Sequence, residues 1–287
     1  GLDVRAELVI NVTAAVQAQI SEGTIYSLPH PLEIEVSEML IEEIPCAEMV
    51  RFGKSGTDST TAAIRVARGF TRRDRVAICG YHGWADWYIG TTTRNLGVPA
   101  AVSALSHTFD YNNLESLKML FDNHPGAFAA VIMEPTGVVA PDDGFLEGVA
   151  ELAHDNGALL VFDEVITGFR INLGGAQTHF GVTPDLAAFG KGMANGYPIS
   201  AVVGRADVMN VFDEVFYSGT FAGETVSLAA SKATINKMRR EPVIDRLWAT
   251  GTRLLDGYNA IAAEVGLAMN TACIGLPPHT VAPFSDD

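Results

Sequence analysis

The sequence predicts an α/β fold with a mostly parallel central sheet flanked by helices, and three observations support this. The chain has 287 residues, of which 48% are hydrophobic, so it can bury a large core. Short apolar runs alternate with segments of helical periodicity. Most of the runs are apolar on both faces, as parallel strands covered by helices must be. The predicted strands are 75–80, 128–135, 158–165, 186–191 and 200–205.

The helical segments are predicted from spacing and from their ends. Segment 31–45 alternates acidic and apolar residues at helical spacing and ends at a proline. Segment 144–157 places its apolar residues on one face and ends at Asn156-Gly157, a typical C-terminal cap. A long helix is predicted over 243–266. Strand, helix and strand in this order indicate βαβ units.

Three regions are predicted along the chain. Residues 1–30 form an N-terminal connecting segment, and residues 31–238 form a large α/β domain. The pattern changes after about Arg240, so residues 239–287 are predicted to begin a small C-terminal domain that the sequence does not complete.

Composition argues against several classes of partner. A net charge of -15 and an isoelectric point near 4.8 would repel nucleic acid and anionic membranes. No apolar run approaches the roughly 20 residues of a membrane helix, and no secretory signal is seen. Cys46, Cys79 and Cys273 are scattered, without metal-ligand spacing. We expect buried free thiols, no metal site and a cytoplasmic location.

The carboxylates Asp163 and Glu164 follow an apolar strand in "LLVFDEVITGFR". Two interpretations are open: an ATPase that holds magnesium, or an enzyme whose cofactor needs a carboxylate against a ring nitrogen. The ATPase needs a phosphate-binding loop, and "GKSGT" at 53–57 lacks it because Glu48 stands where the first glycine is required. The second interpretation remains. Glu164 is expected to be structural, since neighbouring side chains on a strand point to opposite faces.

The start of the helix after this failed motif is a candidate anion site. Ser55, Gly56 and Thr57 open a helix, where backbone N–H groups and two hydroxyls can bind a phosphate. Simple helix capping is the alternative.

Lys191 lies between Gly190 and Gly192 at the end of another apolar run, where the backbone can approach a ligand. A surface lysine in a glycine-rich loop is the ordinary alternative. However, Asp163, the helix start and Tyr81 also lie at strand or helix ends, and ligands of α/β sheets collect outside the carboxyl ends of strands. Pyridoxal phosphate needs all four: a lysine, an acidic partner, a phosphate cradle and a flat ring contact.

Several motifs in order resemble one family over nearly the whole chain. They are "VRFGKSGTDSTTAAIRVARG", "GYHGWADW", "VIMEP", "LLVFDEVITGFR", "DLAAFGKGMANGYPISAVVGR" and "YSGTFAGE". Together they resemble the class III pyridoxal-phosphate-dependent aminotransferases, and within them the glutamate-1-semialdehyde aminomutase group and aminotransferases of surface-sugar gene clusters. The resemblance implies the fold type I transferase architecture and a small-molecule amino donor and carbonyl acceptor.

The resemblance also implies roles for the residues that bind the cofactor ring. Lys191 resembles the lysine that carries the cofactor as an internal aldimine. Asp163 resembles the partner of the ring nitrogen, while Tyr81 and Val165 resemble the contacts on the two ring faces. His82 is left out, since a histidine beside an aromatic residue is more often packed in the core.

The phosphate contacts follow from the same resemblance. Ser55, Gly56 and Thr57 resemble the phosphate cradle of the family. Thr220 matches a threonine that reaches the phosphate of the neighbouring subunit, which implies a homodimer with shared active sites.

The chain departs from the family at one cofactor contact. Members commonly carry Asn or Gln shortly after the Glu-Pro pair, whereas Glu134-Pro135 is followed here by Thr136 and then by Val138 and Val139.

The predicted function is an aminotransferase or a 2,1-aminomutase. The alternative is a cofactor-binding descendant without turnover, or an inactive fragment of such an enzyme.

Overall fold

A seven-stranded sheet forms the centre of the computed structural model, which describes residues 2–284. Its spatial order is β1-β7-β6-β5-β4-β2-β3. Strands β2 to β6 run parallel to one another, while β7 is antiparallel to both of its neighbours. The mostly parallel sheet predicted from the sequence is confirmed. The strands are β1 Met49–Gly53, β2 Arg75–Cys79, β3 Ser106–Thr108, β4 Phe128–Met133, β5 Leu159–Asp163, β6 Leu186–Phe189 and β7 Ser200–Gly204.

Helices precede, connect and follow these strands. The α-helices are α1 Leu2–Glu22, α2 Pro31–Glu43, α3 Gly56–Thr71, α4 Asp86–Ile89, α5 Ala100–Ser103, α6 Leu114–Asn123, α7 Phe145–Asp155, α8 Ala176–Phe180, α9 Ala206–Met209, α10 Thr225–Arg240 and α11 Val243–Glu264. Two short 3₁₀ helices span Lys191–Ala194 and Asn210–Asp213.

The core has two layers because side chains alternate across the sheet. On one face, Val131, Leu160 and Phe162 pack in a cluster with residues of α2, α6, α7 and α10. On the other face, Ile132 and Val161 pack in a cluster with residues of α3 and α9. Every residue of β4 and β5 is buried, which explains their uninterrupted apolar pattern.

The N-terminal segment, predicted only as a connection, contains the long helix α1, which packs on α10. Val12 and Val16 are buried there. Gln19 Nε2 donates to the Thr225 hydroxyl over 3.3 Å, and the Thr225 N–H donates to the Thr24 carbonyl. Residues 11–22 of α1 are thus held in place by tertiary contacts.

The chain beyond α10 forms a separate set of elements. Helix α11 is followed by a two-stranded antiparallel sheet of β8 Ile274–Leu276 and β9 His279–Val281. Trp248 Nε1 on α11 donates to the Ile171 carbonyl over 2.9 Å, which ties α11 to the loop after β5. The boundaries 1–30, 31–238 and 239–287 remain a prediction.

The described part of the chain contains no helix that is both long and apolar enough to cross a membrane. The three cysteines are buried and unbridged, as predicted.

Candidate active site

Four adjacent parallel strands deliver polar side chains to one edge of the sheet. In spatial order they are β2, β4, β5 and β6. Because they are parallel, their carboxyl ends lie on the same side. The residues at or just beyond these ends are Tyr81 and His82 after β2, Glu134 after β4, Asp163 at the end of β5, and Lys191 after β6.

The start of α3 reaches the same edge. Strand β1 is antiparallel to β7, and β7 is antiparallel to β6, so β1 runs parallel to β6 and ends at this edge. Ser55 is the N-cap of α3: its Oγ accepts from the Asp58 N–H, and the Asp58 carboxylate accepts from the Ser55 N–H over 2.8 Å. Within the described chain, the N–H groups of Gly56 and Thr57 have no hydrogen-bond acceptor. They are the donors that a bound anion can use.

These elements enclose an open cleft of about 510 Å³, within the size range of small-molecule pockets. A single cleft thus brings together six of the eight residues predicted as site residues: Gly56, Thr57, Tyr81, Asp163, Val165 and Lys191. His82, Gly83, Glu134 and Ile166 also line it.

The two remaining predicted residues lie elsewhere. Ser55 lines an adjoining cleft, and its hydroxyl is used in the helix cap. Thr220 is exposed and is not among the described residues that line either cleft. Its contact with a neighbouring subunit remains a prediction.

Asp163 is held at the cleft by a buried histidine. Its Oδ1 accepts from the Val165 N–H over 3.1 Å, and its Oδ2 lies 2.9 Å from Nδ1 of His82. The other ring nitrogen, Nε2, lies 3.2 Å from the Cys79 carbonyl, which can only accept, so Nε2 carries a proton. Asp163 and His82 are 5% and 1% exposed. Oδ2 of Asp163 and Nδ1 of His82 therefore face each other within hydrogen-bonding distance, in a site shielded from water.

His82 is not among the predicted site residues because of its aromatic neighbours, and it does stack on Trp87. His82 is therefore both packed in the core and hydrogen-bonded to Asp163. Its position two residues beyond Gly80, just after β2, could have indicated this, because β2 ends at the same edge as β5.

Glu164 points to the opposite side from Asp163, as expected for the next residue on a strand. It is fully buried, and its carboxylate accepts from the N–H groups of Ala176 (2.7 Å) and Gln177 (2.9 Å) and from the Thr167 hydroxyl. Burial raises the pKa of Glu164, and these hydrogen bonds oppose that shift. Glu164 fastens the loop after β5 to the start of α8.

Lys191 has a strained backbone at the mouth of the cleft. Its φ is 37°, in the left-handed region that residues with side chains seldom adopt, and it begins a 3₁₀ turn. Partial burial lowers the pKa of Lys191, an effect that Asp163 and Glu134 oppose. A lowered pKa increases the fraction of neutral amine, which is the nucleophilic form.

Glu134 lines the cleft, although it is not among the site residues predicted from the sequence. Its Oε2 accepts from the Tyr81 N–H over 2.9 Å, and burial raises the pKa of its carboxyl. The neighbouring Thr136 is buried away from the cleft and donates to the Val139 carbonyl. Glu134 is thus the polar side chain that this turn presents to the cleft.

The neighbouring side chains explain two glycines of the site. A Cβ on Gly56 would meet Val165 Cγ1 at 2.9 Å, so the helix start and the residue after Glu164 are in close contact. A Cβ on Gly83, where φ is 98°, would meet Thr57 Oγ1 at 2.2 Å. The close approach of these segments requires glycine at both positions.

The fold and the cleft place this chain among α/β proteins that bind a ligand at the carboxyl edge of a parallel sheet. Residues 9–269 match the model of the class III aminotransferases ("Aminotransferase class-III"). The chain belongs to the class III aminotransferase family, as its motifs had indicated.

Known relatives agree with this assignment. A glutamate-1-semialdehyde 2,1-aminomutase from Roseiflexus castenholzii (strain DSM 13941 / HLO8) is 40% identical over 284 residues, covering 92% of this chain and 65% of that protein. The chain therefore spans slightly less than two thirds of that relative.

Solved structures show the same architecture. The PLP internal aldimine form of the Sphingopyxis sp. MTA144 FumI protein aligns with a TM-score of 0.90 at 30% identity, covering 96% of this chain and 68% of that one. An omega-transaminase from Sphaerobacter thermophilus aligns with a TM-score of 0.88, also at 30% identity and with the same coverage. The predicted fold type I architecture is confirmed.

Proposed function

We propose that this chain is the cofactor-binding part of an enzyme that transfers amino groups with pyridoxal 5'-phosphate, as an aminotransferase or a 2,1-aminomutase. The observation that carries the proposal is the convergence of Lys191, Asp163 and the open N–H groups of α3 on one cleft. Family membership and relatives with the bound cofactor support it.

The residues present fit this cofactor. The N–H groups of Gly56 and Thr57 would hold the phosphate, because unpaired donors at a helix start favour an anion. Tyr81 and Val165, both at the cleft, would contact the two faces of the ring. Lys191 would attach the cofactor through Nζ.

When bound, the cofactor supplies an electron sink for the electron pair left at the substrate's amino-bearing carbon when a proton departs. Asp163 would hold a proton at the ring nitrogen, and its hydrogen bonds with the Val165 N–H and with Nδ1 of His82 fix the carboxylate for that task. Lys191 Nζ, once free of the cofactor, would move the proton at the substrate carbon.

Absorbance and covalent trapping test the proposal. The protein with pyridoxal phosphate should absorb near the visible edge, and borohydride should fix the cofactor on Lys191. Lys191→Ala should bind cofactor without being fixed by borohydride, whereas Lys54→Ala, at a lysine already paired with Glu224 over 3.0 Å, should still be labelled. A colourless parent protein, or labelling of Lys191→Ala at another lysine, would contradict the proposal.

The choice between aminotransferase and aminomutase depends on whether an intermediate leaves the site. The aminomutase relative supports the second and the omega-transaminase supports the first. An aminotransferase should regenerate the starting absorbance only after a second carbonyl substrate is added. An aminomutase should complete its cycle on one substrate.

The finer proposals concern assembly and location. We propose a homodimer, supported by Thr220, which is exposed on a segment outside its own chain's cleft. A sedimentation experiment that finds a cofactor-binding monomer would exclude this. The three buried free cysteines support a reducing cytoplasm, which fractionation of cells expressing the protein can test.

A further inference from the structure

Arg170 is a half-buried cation in the segment that follows β5. It lies seven residues beyond Asp163, and its Nε donates to the Ile166 carbonyl over 2.8 Å. Among the residues whose side chains are described, no carboxylate lies within 4.0 Å of its guanidinium, although the chain has 34 acidic residues for 19 basic ones. By contrast, Arg239 of the described chain pairs with both Glu42 and Glu43.

Arg170 lines a second cleft that adjoins the first. This cleft has a volume of about 1,110 Å³ and shares the lining residues Gly56, Val165 and Lys191 with the first cleft, so the two lie side by side. None of its lining residues is acidic. A ligand that reacts at Lys191 can therefore extend toward Arg170.

The other two cations of this second cleft are already engaged. Lys54 pairs with Glu224, whose carboxylate also accepts from Ser227. Lys191 is the residue proposed to hold the cofactor. Among the described residues that line this cleft, Arg170 is left as the cation with free hydrogen-bonding capacity.

The surroundings of Arg170 favour an anion. Partial burial lowers the pKa of Arg170, and Arg170 in turn contributes to the lowered pKa values of Lys191 and His279. His279 on β9 has a buried Nδ1 that finds no hydrogen-bond partner in the described chain. A bound anion would relieve the repulsion among these three groups.

We propose that Arg170 recognises a carboxylate of the amino substrate, so that the substrates are amino acids rather than simple amines. This inference rests on the proposed function, because it places the reacting amine at Lys191. The planar guanidinium suits the proposal because it can bind a carboxylate through two parallel hydrogen bonds.

Carboxylate binding can be measured without turnover. Butyrate and its neutral match butyramide would be titrated calorimetrically into the protein at constant ionic strength, with and without pyridoxal phosphate. Butyrate should bind and butyramide should bind at least about tenfold more weakly. Arg170→Gln should weaken butyrate binding about ten- to hundredfold, the range of a hydrogen-bonded charge pair. Arg170→Lys should retain part of the affinity, and Arg246→Gln, at an exposed position on α11, should retain all of it.

Half-reactions then test the substrate class. Ethylamine has the structure of alanine, and also of β-alanine, without the carboxylate, so the three compounds form a matched set. In the cofactor-loaded protein, Arg170→Gln should raise the half-saturation concentration for the amino acids and leave that for ethylamine unchanged. An unfolding curve for each variant checks that the fold is intact, and Arg170→Lys provides a second test if the glutamine variant does not fold.

The outcomes separate the inference from the proposed function. Butyrate affinity that is equal in the parent and Arg170→Gln would overturn the inference, even if Lys191 binds the cofactor. An equal rise in the half-saturation concentrations for ethylamine and for the amino acids would also overturn it. So would a variant whose sedimentation changes while its butyrate affinity does not, because Arg170 would then be an interface residue. Failure of cofactor attachment at Lys191 would instead overturn the proposed function, while Arg170-dependent butyrate binding to the cofactor-free protein would still show an anion site.

Discussion

Replacing Asp163 by Asn should abolish most turnover while leaving the fold intact. The Asn Oδ1 can keep the hydrogen bond from the Val165 N–H, which spans 3.1 Å in the parent. The amide nitrogen would take the place of Oδ2 and donate to Nδ1 of His82, whose other nitrogen already donates to the Cys79 carbonyl. Shape and contacts are therefore preserved, and only the negative charge is lost.

The size of the effect follows from that charge. Breaking a buried, hydrogen-bonded ion pair costs about 3–5 kcal/mol. If Asp163 stabilises the transition state through such a pair with the protonated ring nitrogen, the same amount is lost from catalysis. Since about 1.4 kcal/mol corresponds to a factor of ten in rate, the half-reaction should slow by about two to four powers of ten.

The assay is stopped-flow absorbance of a single half-reaction with the cofactor-loaded protein. A cofactor analogue with a permanently positive N-methylated ring should restore part of the rate, because the charge no longer depends on Asp163. Glu164→Gln is the matched control: it removes the adjacent carboxylate, which faces away, and should lower stability by about 1–3 kcal/mol without slowing the half-reaction. If Asp163→Asn reacts as fast as the parent, the carboxylate is only a structural feature at the end of β5.

Three further predictions follow from the same site and its surroundings. Because burial lowers the pKa of Lys191, the rate of cofactor attachment to the cofactor-free protein should rise with pH, and the midpoint of this rise should lie below the pKa of an ordinary lysine. Stopped-flow absorbance measures the rate. A midpoint at the ordinary lysine pKa would contradict the prediction. Gly56→Ala should weaken cofactor binding in equilibrium titrations because its Cβ meets Val165 at 2.9 Å, and adding Val165→Ala should recover part of the loss; additive losses would refute the clash. Burial raises the pKa of both Cys46 and Cys79 to about 12, so neither thiol should react with iodoacetamide until urea unfolds the protein, as peptide mass analysis would show.

The fold class could be predicted from the sequence alone, because the relevant signals are local. The uninterrupted apolar runs at β4 and β5 reflect strands buried on both faces, and this pattern is visible without coordinates. The helix α3 was predicted from its start at Ser55, where a capping residue precedes apolar periodicity. Short strands were harder: β3 has three residues and carries too little pattern to be found.

The sequence also indicated Asp163 and Lys191, since each lies at the end of an apolar run, and both line the cleft at the carboxyl edge of the sheet. It assigned Glu164 to the opposite face from strand geometry alone. The Glu164 inference required only the order of residues along one strand, whereas Asp163 and Lys191 were indicated by the set of four groups that one cofactor needs.

Which side chains form hydrogen bonds or ion pairs with one another depends on the tertiary structure. The bond between His82 and Asp163 joins residues 81 positions apart, and it exists because β2 and β5 both flank β4 and end at the same edge. That no described carboxylate lies within 4.0 Å of the Arg170 guanidinium is equally invisible in the sequence, because any of the 34 acidic residues of the chain could fold against it. Hydrogen bonding and burial depend on distances across the sheet, and these are fixed only when the strands assemble.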